Sequence, residues 1–241
     1  MDIYKINTVE ELLKDNTYPG RGIIVGLTPD GTRAVSAYFI MGRSANSRNR
    51  VFVKKGDELF TEPYDASKVE DPSLIIYAAV RSYENKLVVT NGDQTDTVYK
   101  GYEQGLTFHH ALTRREFEPD GPNFTPRISA ELTLGEPLSY SLSILKSADA
   151  RGSACARFGF DYPALPGLGH FIHTYVCDGN PIPTFQGEPE RVAMNDDIDA
   201  FAKDIWQWLN ADNKISLYVR YTDLKTGAYT DRVINKNEGK A

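Results

Sequence analysis

Between Met41 and Arg50 the chain reads Met-Gly-Arg-Ser-Ala-Asn-Ser-Arg-Asn-Arg, a polar link between an apolar run ending at Ile40 and another beginning at Val51. Arg43, Arg48 and Arg50, with Lys54 and Lys55 just beyond, make five cations and no acid from Met41 to Lys55, in a chain whose formal net charge is -6. Such a local reversal of sign suits an anionic ligand. A guanidinium presents a planar fork of donors that pairs bidentately with phosphate, and serine and asparagine side chains can fill the remaining acceptor sites. A solvated basic hairpin tip has the same composition.

Other chemistry is thinly provided for. A Ser-His-Asp set needs a base placed beside its serine, and no Gly-x-Ser-x-Gly elbow occurs. Neither a P-loop nor a dinucleotide fingerprint is present. The four histidines fall in two close pairs, His109 with His110 and His170 with His173, away from any Cys-x-x-Cys or His-Glu-x-x-His spacing, so no metal site is expected. The two cysteines, Cys155 and Cys177, fit buried thiols better than a disulfide. What remains is a set of polar clusters at strand ends: Gly20-Arg21, Arg43 to Arg50, Asn91 to Thr97, and Thr125-Pro126-Arg127.

The elements that must position these clusters are mostly strands. Gly22 to Leu27 is short, apolar and rich in β-branched residues, and Thr28-Pro29-Asp30-Gly31 turns it back into Ala34 to Ile40. Leu59-Phe60 and Leu87 to Thr90 are further strands, and Ser73 to Arg81 fits strand or helix. Apolar and polar residues alternate in Ile128 to Leu134 and Tyr140 to Leu145, the pattern of antiparallel strands with one wet face. Ala154 to Phe160, His170 to Cys177, and the hairpin of Ile215 to Tyr221 with Arg232 to Ile234 complete the set. Helices are expected at Thr8 to Lys14, from a capping box of Thr8 and Glu11, at Gly101 to Arg115, and at Asp196 to Leu209 behind an Asn195 cap. Ile198, Phe201, Ile205, Trp208 and Leu209 form a stripe at helical spacing that reads as core contact.

Strands joined mainly by hairpins, with two or three helices apart from them, indicate an α+β fold with antiparallel sheet. One domain spanning residues 1–241 is expected, residues 1–17 forming an accessory N-terminal helix. Composition is that of a soluble globular protein, 41% hydrophobic and 25% charged, with no apolar run of about 18 residues. The N-terminus lacks a basic segment followed by an apolar one, so a cytoplasmic protein is expected. The acidic balance speaks against a nucleic-acid polymer as partner. A small anion touching one place is the expected partner, and exposed sheet is compatible with homo-oligomers.

Taken together and in order, Tyr18-Pro19-Gly20-Arg21, Gly42-Arg43-Ser44 through Arg48-Asn49-Arg50, Asn91-Gly92-Asp93-Gln94-Thr95-Asp96-Thr97 and Asn123-Phe124-Thr125-Pro126-Arg127-Ile128 resemble the inosine monophosphate (IMP) cyclohydrolases of the archaeal type. Asn-Gly-x-x-Thr-Asp-Thr and Thr-Pro-Arg-Ile are the most specific strings. The chain differs from that pattern in its N-terminal helix, a longer loop around Asp120 to Pro122 and a longer C-terminal region. The resemblance implies a four-layer αββα sandwich of two antiparallel sheets, like the N-terminal nucleophile hydrolases, although Met1-Asp2 supplies no terminal nucleophile.

It also implies an activity: cofactor-free closure of formamidoimidazole carboxamide ribonucleotide to IMP, and the reverse. The carboxamide nitrogen attacks the formyl carbon of the same molecule, so positioning and proton transfer carry the reaction. On this reading Arg21, Arg43, Ser44 and Arg48 bind phosphate or polarise the formyl oxygen, beside Gly20. Alternation along the strand would turn Arg50 away. Asn91, Asp93, Thr95 and Asp96 meet base or ribose, or only build an Asn-Gly turn, and Thr125 and Arg127 bind substrate or fix a loop. Tyr77 and Glu118 are the proton-transfer candidates by position in the family, with Glu116 an alternative to Glu118; His110 and His173 read as structural. An amide hydrolase of the same fold and a nucleotide sensor without turnover are the rival readings.

Overall fold

The computed structural model describes residues 2–69 and 76–237. Its strands build two wholly antiparallel sheets. The first contains β1 (Arg21–Leu27), β2 (Arg33–Met41), β10 (Leu168–His173), β11 (Glu190–Ala193), β12 (Lys214–Asp223) and β13 (Tyr229–Asn235), in the order β11-β10-β1-β2-β12-β13. The second runs in sequence order through β3 (Val51–Lys55), β4 (Glu58–Glu62), β5 (Tyr77–Tyr83), β6 (Lys86–Thr90), β7 (Arg127–Thr133), β8 (Ser139–Ser147) and β9 (Cys155–Pro163). Residues 73–75 of the segment expected as strand or helix lie outside the described residues; its remainder enters β5.

Side-chain alternation decides what lies between the sheets. Ile23, Val25, Tyr38 and Ile40 point from one sheet, and Ala79, Val89, Ile128, Ala130 and Leu142 from the other, into a shared apolar core. The opposite face of the first sheet, with Phe39, Met41, Leu217 and Val219, packs under α1 (Val9–Leu13) and α5 (Ile198–Trp208). On the far side, Val88 and Leu145 meet α3 (Gln94–Glu103) and α4 (Phe108–Leu112). The order is helix, sheet, sheet, helix, as expected of an α+β chain with two antiparallel sheets. Phe201 and Ile205 of α5 are buried, each stabilising the layer by about 1.5–3 kcal/mol.

Local chemistry accounts for the element ends. Thr8 and Glu11 close a capping box on α1. Asp197, rather than Asn195, caps α5 by accepting from the amides of Asp199 and Ala200, while the Asn195 side chain accepts from the amide of Asp197. The single helix expected from Gly101 to Arg115 is instead two. Gly105 takes φ +74°, which ends α3, and Thr107 offers a fresh cap by accepting from the His110 amide. The start of α3 falls inside the Asn91 to Thr97 cluster. Short α2 (Ala45–Arg48) and β11 have no counterpart among the expected elements. Cys155 is half-buried and Cys177 exposed, against the expectation of buried thiols. No described helix is long and apolar enough to cross a membrane.

Candidate active site

The starts of β1, β5 and β7 and the end of β2 meet at one end of the sandwich, and the polar clusters gather there. A cleft of about 240 Å³ opens between Tyr18, Arg21, Arg43, Ser44, Ser47 and Arg50 on one side and Asp120, Asn123, Thr125, Tyr175 and Ile182 on the other. Larger cavities exist, one of about 350 Å³ against β8 and β9 and one of about 490 Å³ at the opposite end of the sandwich. Each of those is lined by a single arginine, whereas three guanidinium groups converge on the smaller cleft.

Arg21 opens β1, its amide donating to Thr174 Oγ1 at 3.1 Å. Its guanidinium is buried, with Nη2 3.7 Å from Glu118 Oε2 and Nε without a hydrogen-bond partner among the described residues. Burial opposes its charge, but Glu118 and the neighbouring tyrosines outweigh that and hold Arg21 above the usual arginine value. Arg50 is 2% exposed and donates from Nε to Ser47 O at 2.8 Å. Burial, then the like charge of Arg21, lowers its pKa. Two cations are thus held close together out of water. A buried like-charge pair is costly unless an anion compensates it.

Arg43 stands at the mouth. It donates to Asp178 Oδ1 at 2.5 Å and Gly179 O at 2.8 Å, and lies 5.2 Å over the ring of Tyr18. Tyr18 in turn stacks on Tyr175, ring centres 5.8 Å apart. Thr125 donates to the Asp120 carboxylate from both its amide and its hydroxyl, and its Oγ1 lies 2.6 Å from Tyr175 Oη. Behind this wall Glu118 is fixed through its amide, which donates to Thr125 O at 2.9 Å. Burial raises the Glu118 pKa, while the charges of Arg21 and Arg127 oppose the rise. Below the cleft, Tyr77 Oη is 2.9 Å from Tyr38 Oη. Burial holds the Tyr38 hydroxyl well above the usual tyrosine value.

Residues 18–227 match the family model described as IMP cyclohydrolase-like protein. The chain belongs to this family. Among its relatives, the IMP cyclohydrolase of Methanopyrus kandleri is 30% identical over 185 residues, covering 70% of this chain and 89% of the relative. That of Methanococcus aeolicus is 28% identical over 164 residues, 66% and 75% of the two chains. That of Methanothrix thermoacetophila is 33% identical over 88 residues, 36% and 42% respectively.

Within this family member the expected site residues divide into two groups. Arg21, Arg43, Ser44 and Thr125 line the cleft, with Glu118 and Tyr77 just behind it. Gly20 does not line it; at φ +79° it lets Thr174 and Tyr175 approach where any Cβ would stand 2.2 Å from Thr174 Oγ1. Arg48 turns away, donating to Gly42 O at 3.0 Å and Asn213 Oδ1 at 3.1 Å. Asn91 is buried and ties Pro126 O, the Ile128 amide and Gln94 together. Thr95 bonds Thr90 and Gly92, and Asp96 pairs with Arg81 at 2.9 Å. Asp93 pairs with Arg115 and, at 2.8 Å, with Arg127. Arg127 also donates to Gln94 Oε1 at 2.8 Å. The Asn91 cluster therefore holds the root of the Thr125 loop from behind.

Alternation in the sequence sets Arg50 aside, and the structure reverses that. It shares its face with Phe52, two residues on, whose ring is in the core between the sheets. Setting the phase by Phe52 places Arg50 inward. Tyr18 and Asn123 stand in the quoted motifs without a role. Nothing in the sequence marks Ser47, Asp120, Tyr175 or Ile182 as neighbours of Arg21.

Proposed function

We propose that this chain closes formamidoimidazole carboxamide ribonucleotide to IMP, with loss of water, and catalyses the reverse hydrolysis in purine biosynthesis. The observation that carries the reading is the pairing of buried Arg21 and Arg50 with Arg43 at the mouth, a cationic pocket in an acidic chain. That the archaeal relatives are IMP cyclohydrolases supports it. A purine nucleotide supplies a phosphate for the arginines and a flat ring for the aromatic wall that Tyr18 and Tyr175 give the cleft. Arg43 and Arg50 hold the phosphate with Ser44 and Ser47. Arg21, with its free Nε, polarises the formyl oxygen and stabilises negative charge as the ring closes.

Glu118 takes the proton from the attacking carboxamide nitrogen and returns one to the departing hydroxyl. Its burial places its pKa nearer neutrality than an ordinary glutamate, which suits a group that must both accept and donate. Tyr77, hydrogen-bonded to Tyr38, is the second proton carrier. The reacting groups belong to one molecule, so holding them in the reactive rotamer supplies much of the acceleration. A cytoplasmic setting fits this metabolic role.

The test is an ultraviolet assay of IMP formation by the purified protein, with Arg43→Ala alongside. Turnover by the wild type and its loss in the variant is the expected result. Binding of IMP without any turnover would overturn the reading in favour of a nucleotide sensor.

A further inference from the structure

Three of the four sheet edges are covered among the described residues. The edges β3 and β13 close on each other, Asn235 bonding the amide and carbonyl of Phe52 at 2.9 and 3.0 Å. The short β11 is covered by Asn7, which exchanges backbone hydrogen bonds with Arg191 and Ala193. Among the described residues only β9 is left open. It is nine residues long, pairs with β8 without a register shift, carries no lysine, and has its one proline at the last position. Edges of this kind are ordinarily blunted, because their free amides and carbonyls template another strand.

We propose that β9 is the seam of a homodimer, in which a second copy of this chain adds its own β9 antiparallel about a two-fold axis through Gly159. The backbone polarity fits. The Ala164 amide donates to Leu138 O and the Ala148 amide to Ala154 O, so the even-numbered positions bond toward β8. By the alternation of an antiparallel ladder, Arg157, Gly159 and Asp161 turn their amides and carbonyls outward. With Gly159 opposite its own copy, Arg157 falls opposite Asp161 of the second chain, and the pair occurs twice. Centring the axis on Arg157 or Asp161 would instead set like charges against each other.

The side chains agree with this register. Asp161 accepts from His109 and Ser141 through Oδ1 alone, leaving Oδ2 for an incoming guanidinium. Phe158, 45% exposed, falls opposite Phe160 of the other copy on the face of β9 that looks toward the core between the sheets, where Phe160 is partly buried. Pro163, which has no amide to donate, falls opposite Cys155, whose carbonyl already accepts from Arg157. Within one chain Arg157 and Asp161 share no contact, so any coupling between them reports on assembly.

Sedimentation velocity of the full chain tests the seam. The expected result is a species of about 54 kDa, twice the 27.0 kDa of the chain. Arg157→Asp and Asp161→Arg should each weaken the dimer at least about tenfold by placing like charges across the axis. The double variant, with both charges exchanged, should restore it. Far-ultraviolet circular dichroism of the single variants checks that they fold. A monomer at all accessible concentrations, single variants that stay dimeric, or a double variant that fails to recover would each overturn the proposal.

Discussion

Glu118 Oε2 stands 3.7 Å from Arg21 Nη2, with both side chains almost wholly out of solvent. At that separation the charges feel each other without sharing a hydrogen bond, and burial raises the Glu118 pKa despite the cation. As the base in ring closure Glu118 must be ionised, so turnover should rise with pH through its pKa, on a limb above the usual glutamate range. Glu118→Gln should lower kcat by roughly a hundredfold to ten-thousandfold with little change in KM, and abolish that limb. A Glu118→Gln variant that keeps the limb would exclude this residue as the base.

Arg48 and Arg50 are two residues apart and should behave oppositely. Arg50→Ala removes a buried guanidinium from the cleft and should raise KM by about tenfold to a hundredfold, the worth of one charge-assisted contact to phosphate. Arg48→Ala should leave KM unchanged. It loses the bonds to Gly42 and Asn213 and should lower Tm by a few degrees, about 2–4 °C per kcal/mol in a chain of this size. Steady-state kinetics with thermal melts on both variants decides the matter; reversed behaviour would return the phosphate to Arg48.

That contrast marks where sequence reasoning reaches its limit. Strand periodicity and turn chemistry locate most of the strands, because one-residue errors there would expose a whole apolar face, whereas their division into two sheets is implied only by the family resemblance. The basic link is visible for the same reason that any local sign reversal is. Which of its arginines turns inward depends on α2, a single turn capped by Ser44, and on the phase that Phe52 sets in β3. The Asn91 cluster misleads in a different way. Asn91, Gln94 and Thr95 are as buried as a ligand site would require, but they meet backbone, Thr90 and one another. Composition cannot tell an internal network from a binding surface. Tyr175 and Asp120 reach the cleft only through long-range folding, far from Arg21 in sequence.

Tyr77 Oη lies 2.9 Å from Tyr38 Oη beneath the cleft, and the two rings belong to different sheets. Burial keeps the Tyr38 hydroxyl protonated across the working range. Tyr77→Phe leaves the ring packing intact and removes only the hydroxyl, so kcat should fall about a hundredfold while KM stays within a few-fold of wild type. An equal fall for Tyr38→Phe would show that the pair acts as one unit. A larger effect of Tyr77→Phe on KM than on kcat would reassign Tyr77 to substrate binding.

His170 gives the fold a dependence on pH that is separate from catalysis. It is buried between two tyrosines, with Nδ1 2.7 Å from Tyr140 Oη and the Tyr162 ring stacked 3.7 Å from its own. Burial, reinforced by the charge of Arg191, pushes its pKa down to about 4 from the ordinary 6.5. The unfolded chain therefore binds a proton between those values that the folded chain refuses. The stability contributed by keeping His170 neutral is complete above about pH 6.5 and is lost as pH falls toward 4, on the order of 3 kcal/mol in all. His170→Gln packs a neutral acceptor at the same place. Urea midpoints measured from about pH 7 to pH 4 should show the wild type losing stability faster than the variant, with the gap closing as the pH drops. Parallel curves would mean that His170 titrates alike in the folded and unfolded chain.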